Sequence, residues 1–158
     1  MRKRGGALSS RLKVAEAPDE VRVRAWAQLL RAFLVFQRRV SNLIAEHDMT
    51  MAQFDVMASL KYEEGVTQQE LAARLLVTKG NICGLIDRLE GSGWVERRAD
   101  AADARANRVY LTATGRRKIE SALPVHDEFV AGLLKSLPVS EVTELRHLLQ
   151  KVEEGARR

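Results

Sequence analysis

The sequence predicts a mainly α-helical protein interrupted once by a small β-hairpin. Three observations carry the prediction. Apolar residues recur at three- and four-residue steps before residue 48 and after residue 116, two short alternating runs follow the glycine-rich stretch Gly91-Ser92-Gly93, and no proline occurs between Pro18 and Pro124. The chain has 158 residues, of which 46% are hydrophobic, and 26 Lys plus Arg stand against 21 Asp plus Glu. That balance fits one ordinary soluble domain, or a small domain with added dimer helices, and is unlike a disordered or fibrous chain.

Residues 1–18 mix Gly5, Gly6, Ser9 and Ser10 with scattered bases and end at Pro18, so a basic, disordered tail is expected there, with a single domain over 19–158. Trp26, Leu29, Phe33, Phe36, Val40 and Leu43 form one helical stripe, and Leu30, Leu34 and Ile44 widen it, which predicts a long helix over 19–48 buried on two sides. Thr50 or Met51 opens a shorter helix carrying Phe54, Val56, Met57 and Leu60, and Glu63-Glu64-Gly65 ends it. Thr67 and Glu70 then form a capping box for a short helix whose inner face is Leu71, Ala72 and Leu75. Thr78 caps the next helix, which buries Ile82, Leu85, Ile86 and Leu89 and points Thr78, Lys79, Asn81 and Cys83 outward.

Two short helices joined by a tight break, the second with a polar N-terminus, make a helix-turn-helix whose second helix can enter a major groove of about 12 Å. Trp94 to Arg98 and Asn107 to Thr112 alternate like paired strands around a charged loop. A hairpin in that place is a wing, and a basic residue at its tip, here Arg105, can enter the narrow minor groove. Asp103 would orient Arg105 or tie the loop to another arginine such as Arg74. Beyond the hairpin, Ile119, Leu123, Val130, Leu133 and Leu137 continue a helical stripe that Pro124 should kink and Pro138 should stop. Ser140 can cap a last helix carrying Val142, Leu145, Leu149 and Val152. The terminal helices, 19–48 and 116–155, carry more apolar stripe than one small core requires, so they are expected to pack against a second copy around a DNA-binding lobe at 50–115.

The net charge of +5 is unevenly placed: +4 over residues 1–17, −1 over 18–66, +3 over 67–117 and −1 over 118–158. This suits a polyanionic partner met by one face. The longest stretch without a charged residue is seven residues, against roughly 20 apolar residues for a membrane span. Gly5 to Ser10 gives the basic start no apolar core, so no signal peptide is read and a cytoplasmic location is expected. The single cysteine, Cys83, cannot form an internal disulfide, and His47, His126 and His147 share no ligand spacing. No cofactor or metal is expected. A glycine-rich phosphate loop and a paired base and nucleophile are also missing, which argues against an enzyme.

Gly-Val-Thr-Gln-Gln-Glu-Leu-Ala at 65–72, Val-Thr-Lys-Gly-Asn-Ile at 77–82, Leu-Ile-Asp-Arg-Leu-Glu-Gly-Ser-Gly-Trp-Val at 85–95, Asp-x-x-Asp-x-Arg at 100–105 and Leu-Thr-Ala-Thr-Gly at 111–115 follow one another in order. This run resembles the MarR family of bacterial regulators over about residues 20–155. The resemblance implies a winged-helix homodimer that reads a pseudo-palindromic duplex site and represses until a small phenolic or other lipophilic ligand, or in some branches thiol oxidation, releases it. Two departures stand out. Ala101 replaces the proline often found after the first wing aspartate, and Cys83 takes a recognition-helix position usually held by threonine or serine.

The candidate DNA contacts are Thr67, Gln68, Thr78, Lys79, Asn81, Cys83, Arg88, Arg97, Arg98, Asp103, Arg105 and Arg108. For Arg88, beside Asp87, and for Arg74, ion pairing competes evenly with phosphate contact. Arg97, Arg98 and Arg108 flank the wing and would neutralise phosphate. Cys83, near a helix N-terminus and Lys79, is either a redox-responsive thiol or a small replacement for a hydroxyl. His47 and His126 fall on apolar stripes, as core histidines or as ligand contacts. The resemblance places effectors between the dimer helices and the DNA-binding lobe, where Trp26, Phe33, His47 and Phe54 are candidates and Asp55 is another polar anchor. A winged helix turned to DNA packaging or protein contact is the competing reading.

Overall fold

The computed structural model describes residues 18–100 and 107–157. The tail up to residue 17, Asp103 and Arg105 lie outside the described residues. The chain divides into two compact units, Met1–Val35 and Phe36–Arg158.

Helix α1 (Pro18–Ala45) begins in the first unit and ends in the second. Proline suits a first helical position, where its missing N–H leaves no bond unmade, and Asp19 and Glu20 sit at the positive end of the helix dipole. In the first unit the predicted stripe is open to solvent: Trp26 is 62% and Phe33 56% exposed. In the second unit, Val40 and Ile44 are buried. The helix stops three residues earlier than expected, so His47 lies in the following turn and not on an apolar helical stripe. There its N–H donates to the Ile44 carbonyl at 3.0 Å.

Helix α2 (Met51–Tyr62) opens on a capping box between Thr50 and Gln53 and buries Phe54, Val56, Met57 and Leu60. A short strand that the sequence did not announce, β1 (Val66–Thr67), precedes α3 (Gln68–Arg74), α4 (Lys79–Gly91), and the strands β2 (Val95–Ala99) and β3 (Asn107–Leu111). The sheet order is β1-β3-β2, with Val66 opposite Val109 and Val95 opposite Leu111. Helix α5 (Ala113–Leu133) runs unbroken through Pro124, and α6 (Val139–Ala156) closes the described chain.

The last helix corrects one expectation. Ser140 is not its cap: Pro138, with φ −64°, holds that position without a side-chain cap bond, and its carbonyl already accepts from the Val142 N–H at 3.1 Å. Proline's fixed φ leads straight into the helix, which leaves Ser140 inside its first turn.

One core fills the second unit. Ile44, Met57, Leu60, Leu71, Ile82, Ile86, Leu89, Val109 and Ile119 are each fully buried, and each such side chain contributes about 1.5–3 kcal/mol. It brings α2, α4, the sheet and α5 together, so the helix-turn-helix and the base of the hairpin share one packed support. Among the described residues no helix is long and apolar enough to cross a membrane.

Candidate nucleic-acid interface

The helix-turn-helix is built as its caps predict. Thr67 Oγ1 accepts from the Glu70 N–H at 3.2 Å, while Glu70 Oε2 accepts from the Thr67 N–H at 2.7 Å. The Thr67 N–H, and the Thr67 hydroxyl donating to Glu70 Oε2 at 3.0 Å, hold the Glu70 carboxyl below its ordinary pKa. At the next helix Thr78 Oγ1 accepts from the Asn81 N–H at 3.3 Å. Thr67 and Thr78 therefore use their hydroxyls as caps, and Gln68 is half-buried at the start of α3.

Along α4, Ile82, Leu85, Ile86 and Leu89 face the core, and Thr78, Lys79, Asn81 and Arg88 are exposed. Cys83, expected to face outward, is instead half-buried against the core. The 100° helical step places it about 60° around the axis from Ile86, on the flank of the buried stripe. Asn81 and Arg88 line an open groove of about 370 Å³ along α4 with Ala52, Val77, Gly80, Gly84 and Leu85. Among the described residues, no ion pair holds Lys79 or Arg88.

The arginines around the hairpin are placed differently. Arg97, whose side chain is 18% exposed, reaches from β2 to Asp87 and Glu90 on α4. Burial opposes its charge, but the hydrogen bonds to Asp87 and Glu90 outweigh that and raise its pKa. Arg98 pairs with Glu96 and lies 4.3 Å over the Tyr110 ring. Arg98 and Arg108 are direct cross-strand neighbours, an arrangement that repels unless each charge is met separately. Arg108 is met by Asp100 at 2.6 Å, a side chain only 10% exposed, and it also donates to the Gly65 carbonyl at 2.6 Å.

Arg74 donates to Glu63 at 2.7 Å, which is the ion-pairing alternative for that residue, while Asp87 pairs with Arg97 and not with its neighbour Arg88. Sequence reasoning also missed Glu64, which accepts from the Leu111 N–H at 3.1 Å and from Arg116 at 2.7 Å. These bonds join the end of α2 to β3 and α5. Partners about 50 residues apart leave no local pattern to read.

Of the residues considered for an effector, Trp26 and Phe33 lie in the first unit with exposed rings. His47 is half-buried in its turn, and Phe54 is in the core, its ring 4.6 Å from that of His126. His126 Nδ1 lies 2.9 Å from Asp127. Burial pushes the Asp55 carboxyl up, opposed by the charge of His126.

Comparison with known proteins agrees with this geometry. Residues 47–106 match the MarR family. An uncharacterised HTH-type transcriptional regulator of Bacillus cereus is 30% identical over 128 residues, covering 80% of this chain and 85% of the relative. A cysteine-to-serine mutant of Escherichia coli MarR, solved in complex with operator DNA, is 29% identical with a TM-score of 0.77, covering 87% of this chain and 99% of that one. Rhodococcus jostii CouR, solved bound to p-coumaroyl-CoA, is 26% identical with a TM-score of 0.72, covering 79% of this chain and 88% of that one. With its helix-turn-helix, its antiparallel wing and relatives matched over most of their length, the chain belongs to the MarR family of transcriptional regulators.

Proposed function

We propose that this regulator is a cytoplasmic homodimer that binds a pseudo-palindromic duplex site, represses there, and is released by a small phenolic or other lipophilic ligand. The observation that carries the DNA reading is the outer face of α4. Its first turn presents Lys79 and Asn81 to solvent, Arg88 lies further along, and neither cation is held by an acid among the described residues. In the proposal Asn81 and Lys79 meet base edges, Thr78 and Arg88 meet the backbone, and Arg105 enters the minor groove.

The homodimer reading rests on unpartnered apolar faces. Helix α6 buries none of its residues and leaves Leu145, Leu148, Leu149 and Val152 exposed. The first unit leaves Trp26, Leu30, Phe33 and Leu34 exposed. Exposed apolar helix faces of this kind mark a protein contact. The ligand reading draws support from CouR bound to p-coumaroyl-CoA. His47 and Phe54 are its proposed contacts in the second unit, and the burial of Phe54 means that a ligand reaches it only if the core opens. A ligand releases DNA only to the extent that it binds the free form more tightly than the DNA-bound form.

The test is selection of binding sites from a random duplex library near physiological salt. The expected result is a two-fold symmetric motif with half-sites about ten base pairs apart. Uniform recovery of all duplexes would refute sequence-specific regulation and favour packaging.

A further inference from the structure

Two helices of this fold end in the same hydrogen-bonded turn, and they fill its critical position differently. At the end of α4, the Trp94 N–H donates to the Leu89 carbonyl at 3.0 Å and the Gly93 N–H to the Glu90 carbonyl at 2.9 Å. At the end of α3, the Val77 N–H donates to the Ala72 carbonyl at 3.0 Å and the Leu76 N–H to the Ala73 carbonyl at 3.4 Å. Both patterns are Schellman motifs, which need a left-handed residue just past the helix. Gly93 supplies it with φ +71°, at no steric cost. Leu76 supplies it with φ +53°, where its Cβ crowds the backbone.

Such strain can be offset by burial of the leucine side chain. Here it is not: Leu76 is 78% exposed, among the most exposed large apolar residues described, and Val77 beside it is 39% exposed. The fold thus bears both backbone strain and apolar exposure at one residue where glycine would remove both. Strain of this kind gathers where a segment meets a partner. Leu76 is the turn residue of the helix-turn-helix, shortly before Thr78, Lys79 and Asn81, and these are exposed as it is.

We propose that Leu76 is a DNA-contacting residue that packs on an apolar edge of the duplex, either a thymine methyl or a deoxyribose face at the border of the major groove. The inference rests on the DNA-binding reading above. A duplex is favoured over a protein partner because Leu76 stands three residues before Lys79, and its neighbour Val77 lines the same open groove as Asn81 and Arg88. Thymine methyl groups are the apolar features a major groove offers to such a side chain.

The experiment compares wild type with Leu76→Gly and Leu76→Met on the best duplex selected by the wild type and on a scrambled duplex. Leu76→Gly relieves the strain, so its Tm should rise by about 2–4 °C, while its affinity for the selected duplex falls about five- to tenfold. Leu76→Met should retain that affinity. Replacing thymines singly by deoxyuridine then separates the two edges. A loss at one position for wild type but not for Leu76→Gly assigns a methyl group, and a variant weakened equally on selected and scrambled duplexes assigns the deoxyribose.

Leu76→Gly with a raised Tm and affinity within twofold of wild type overturns the role of Leu76 while leaving DNA recognition intact. A variant changed in sedimentation but not in DNA affinity overturns it in favour of a protein contact. A wild type that selects no duplex overturns both this inference and the reading on which it rests.

Discussion

Gly115→Ala tests how the wing is anchored. Gly115 is buried in the first turn of α5, and its N–H donates to the Thr112 cap at 3.0 Å. A Cβ added there would lie 1.8 Å from the Trp94 carbonyl oxygen and 2.7 Å from its carbon. Those are backbone atoms directly before β2, and the same oxygen accepts from the Thr112 N–H at 3.1 Å. The strand must move, which costs about 1–3 kcal/mol for overpacking and about 1 kcal/mol for the broken hydrogen bond. Alanine's higher helix propensity returns about 1 kcal/mol. The net is a destabilisation of about 2 kcal/mol, read as a lower urea midpoint at fixed protein concentration with unchanged m-value. Gly132→Ala is the control, because it lies in the same helix with nothing within 4 Å of its added Cβ. It should gain up to about 1 kcal/mol. A Gly115→Ala variant as stable as Gly132→Ala would refute the close approach of α5 to Trp94.

Other consequences concern reading and pH. Asn81→Ala should relax preference at one base pair per half-site, a loss of about 1–3 kcal/mol of discrimination, while binding to scrambled duplexes stays unchanged; repeated site selection measures it. The raised pKa of Asp55 means that the folded state holds its proton more tightly than the unfolded state does. Its contribution is therefore most favourable below the unfolded value of about 3.8 and is lost as pH rises through the folded pKa. Asp55→Asn should be more stable than wild type at pH 7, with the difference shrinking toward pH 4, as followed by urea unfolding across that range. Glu70, whose pKa is lowered, has the opposite sign: its capping contribution is present at neutral pH and lost on acidification through its folded pKa. In Glu70→Gln that acid-side loss should be absent.

Local chemistry made most of the fold legible. The capping residues Thr67 and Thr78, the stripe Ile82, Leu85, Ile86 and Leu89, and the alternation within 95–99 and within 107–111 each lie within one helix or one strand, so a single sequence displays them. The misses are long-range or concern competing local rules. The strand β1 exists only because Val66 finds Val109, and the bond between Arg108 and the Gly65 carbonyl spans 43 residues. The spacing of His47 fits the helical stripe, but the chain turns at Leu43–Asp48 through short-range bonds, and Asp48 adopts φ +52°. Ser140 yields the capping position to Pro138 because proline's fixed φ already begins the helix. At the candidate interface, the outward set Thr78, Lys79 and Asn81 is readable from the helical period. The acid partners of Arg97 and Arg108 are not, since they depend on how β2 meets α4 and on how Asp100, just past the end of β2, meets β3.

Those partners change what the basic charge of the middle segment can do. By sequence Arg97, Arg98 and Arg108 are phosphate neutralisers, yet Arg97 is met by Asp87 and Glu90, Arg98 by Glu96 and Arg108 by Asp100. A cation already paired displaces few counterions from DNA unless its own pair is broken. Each true phosphate contact steepens the dependence of log affinity on log salt by about 0.9. Three arginines in each of two protomers would therefore add about 5 to the slope of a dimer. With Lys79 and Arg88 as the unpaired cations of α4, the proposed dimer should instead show a shallow slope, and Arg97→Gln should leave that slope unchanged. The same substitution frees Asp87 and Glu90 and loosens β2 from α4, so it should weaken specific binding while costing about 1 kcal/mol of stability. A slope that drops by about 1.8 in Arg97→Gln, equivalent to one phosphate per protomer, would make Arg97 a phosphate ligand after all. Its bonds to Asp87 and Glu90 would then be a resting arrangement exchanged for DNA.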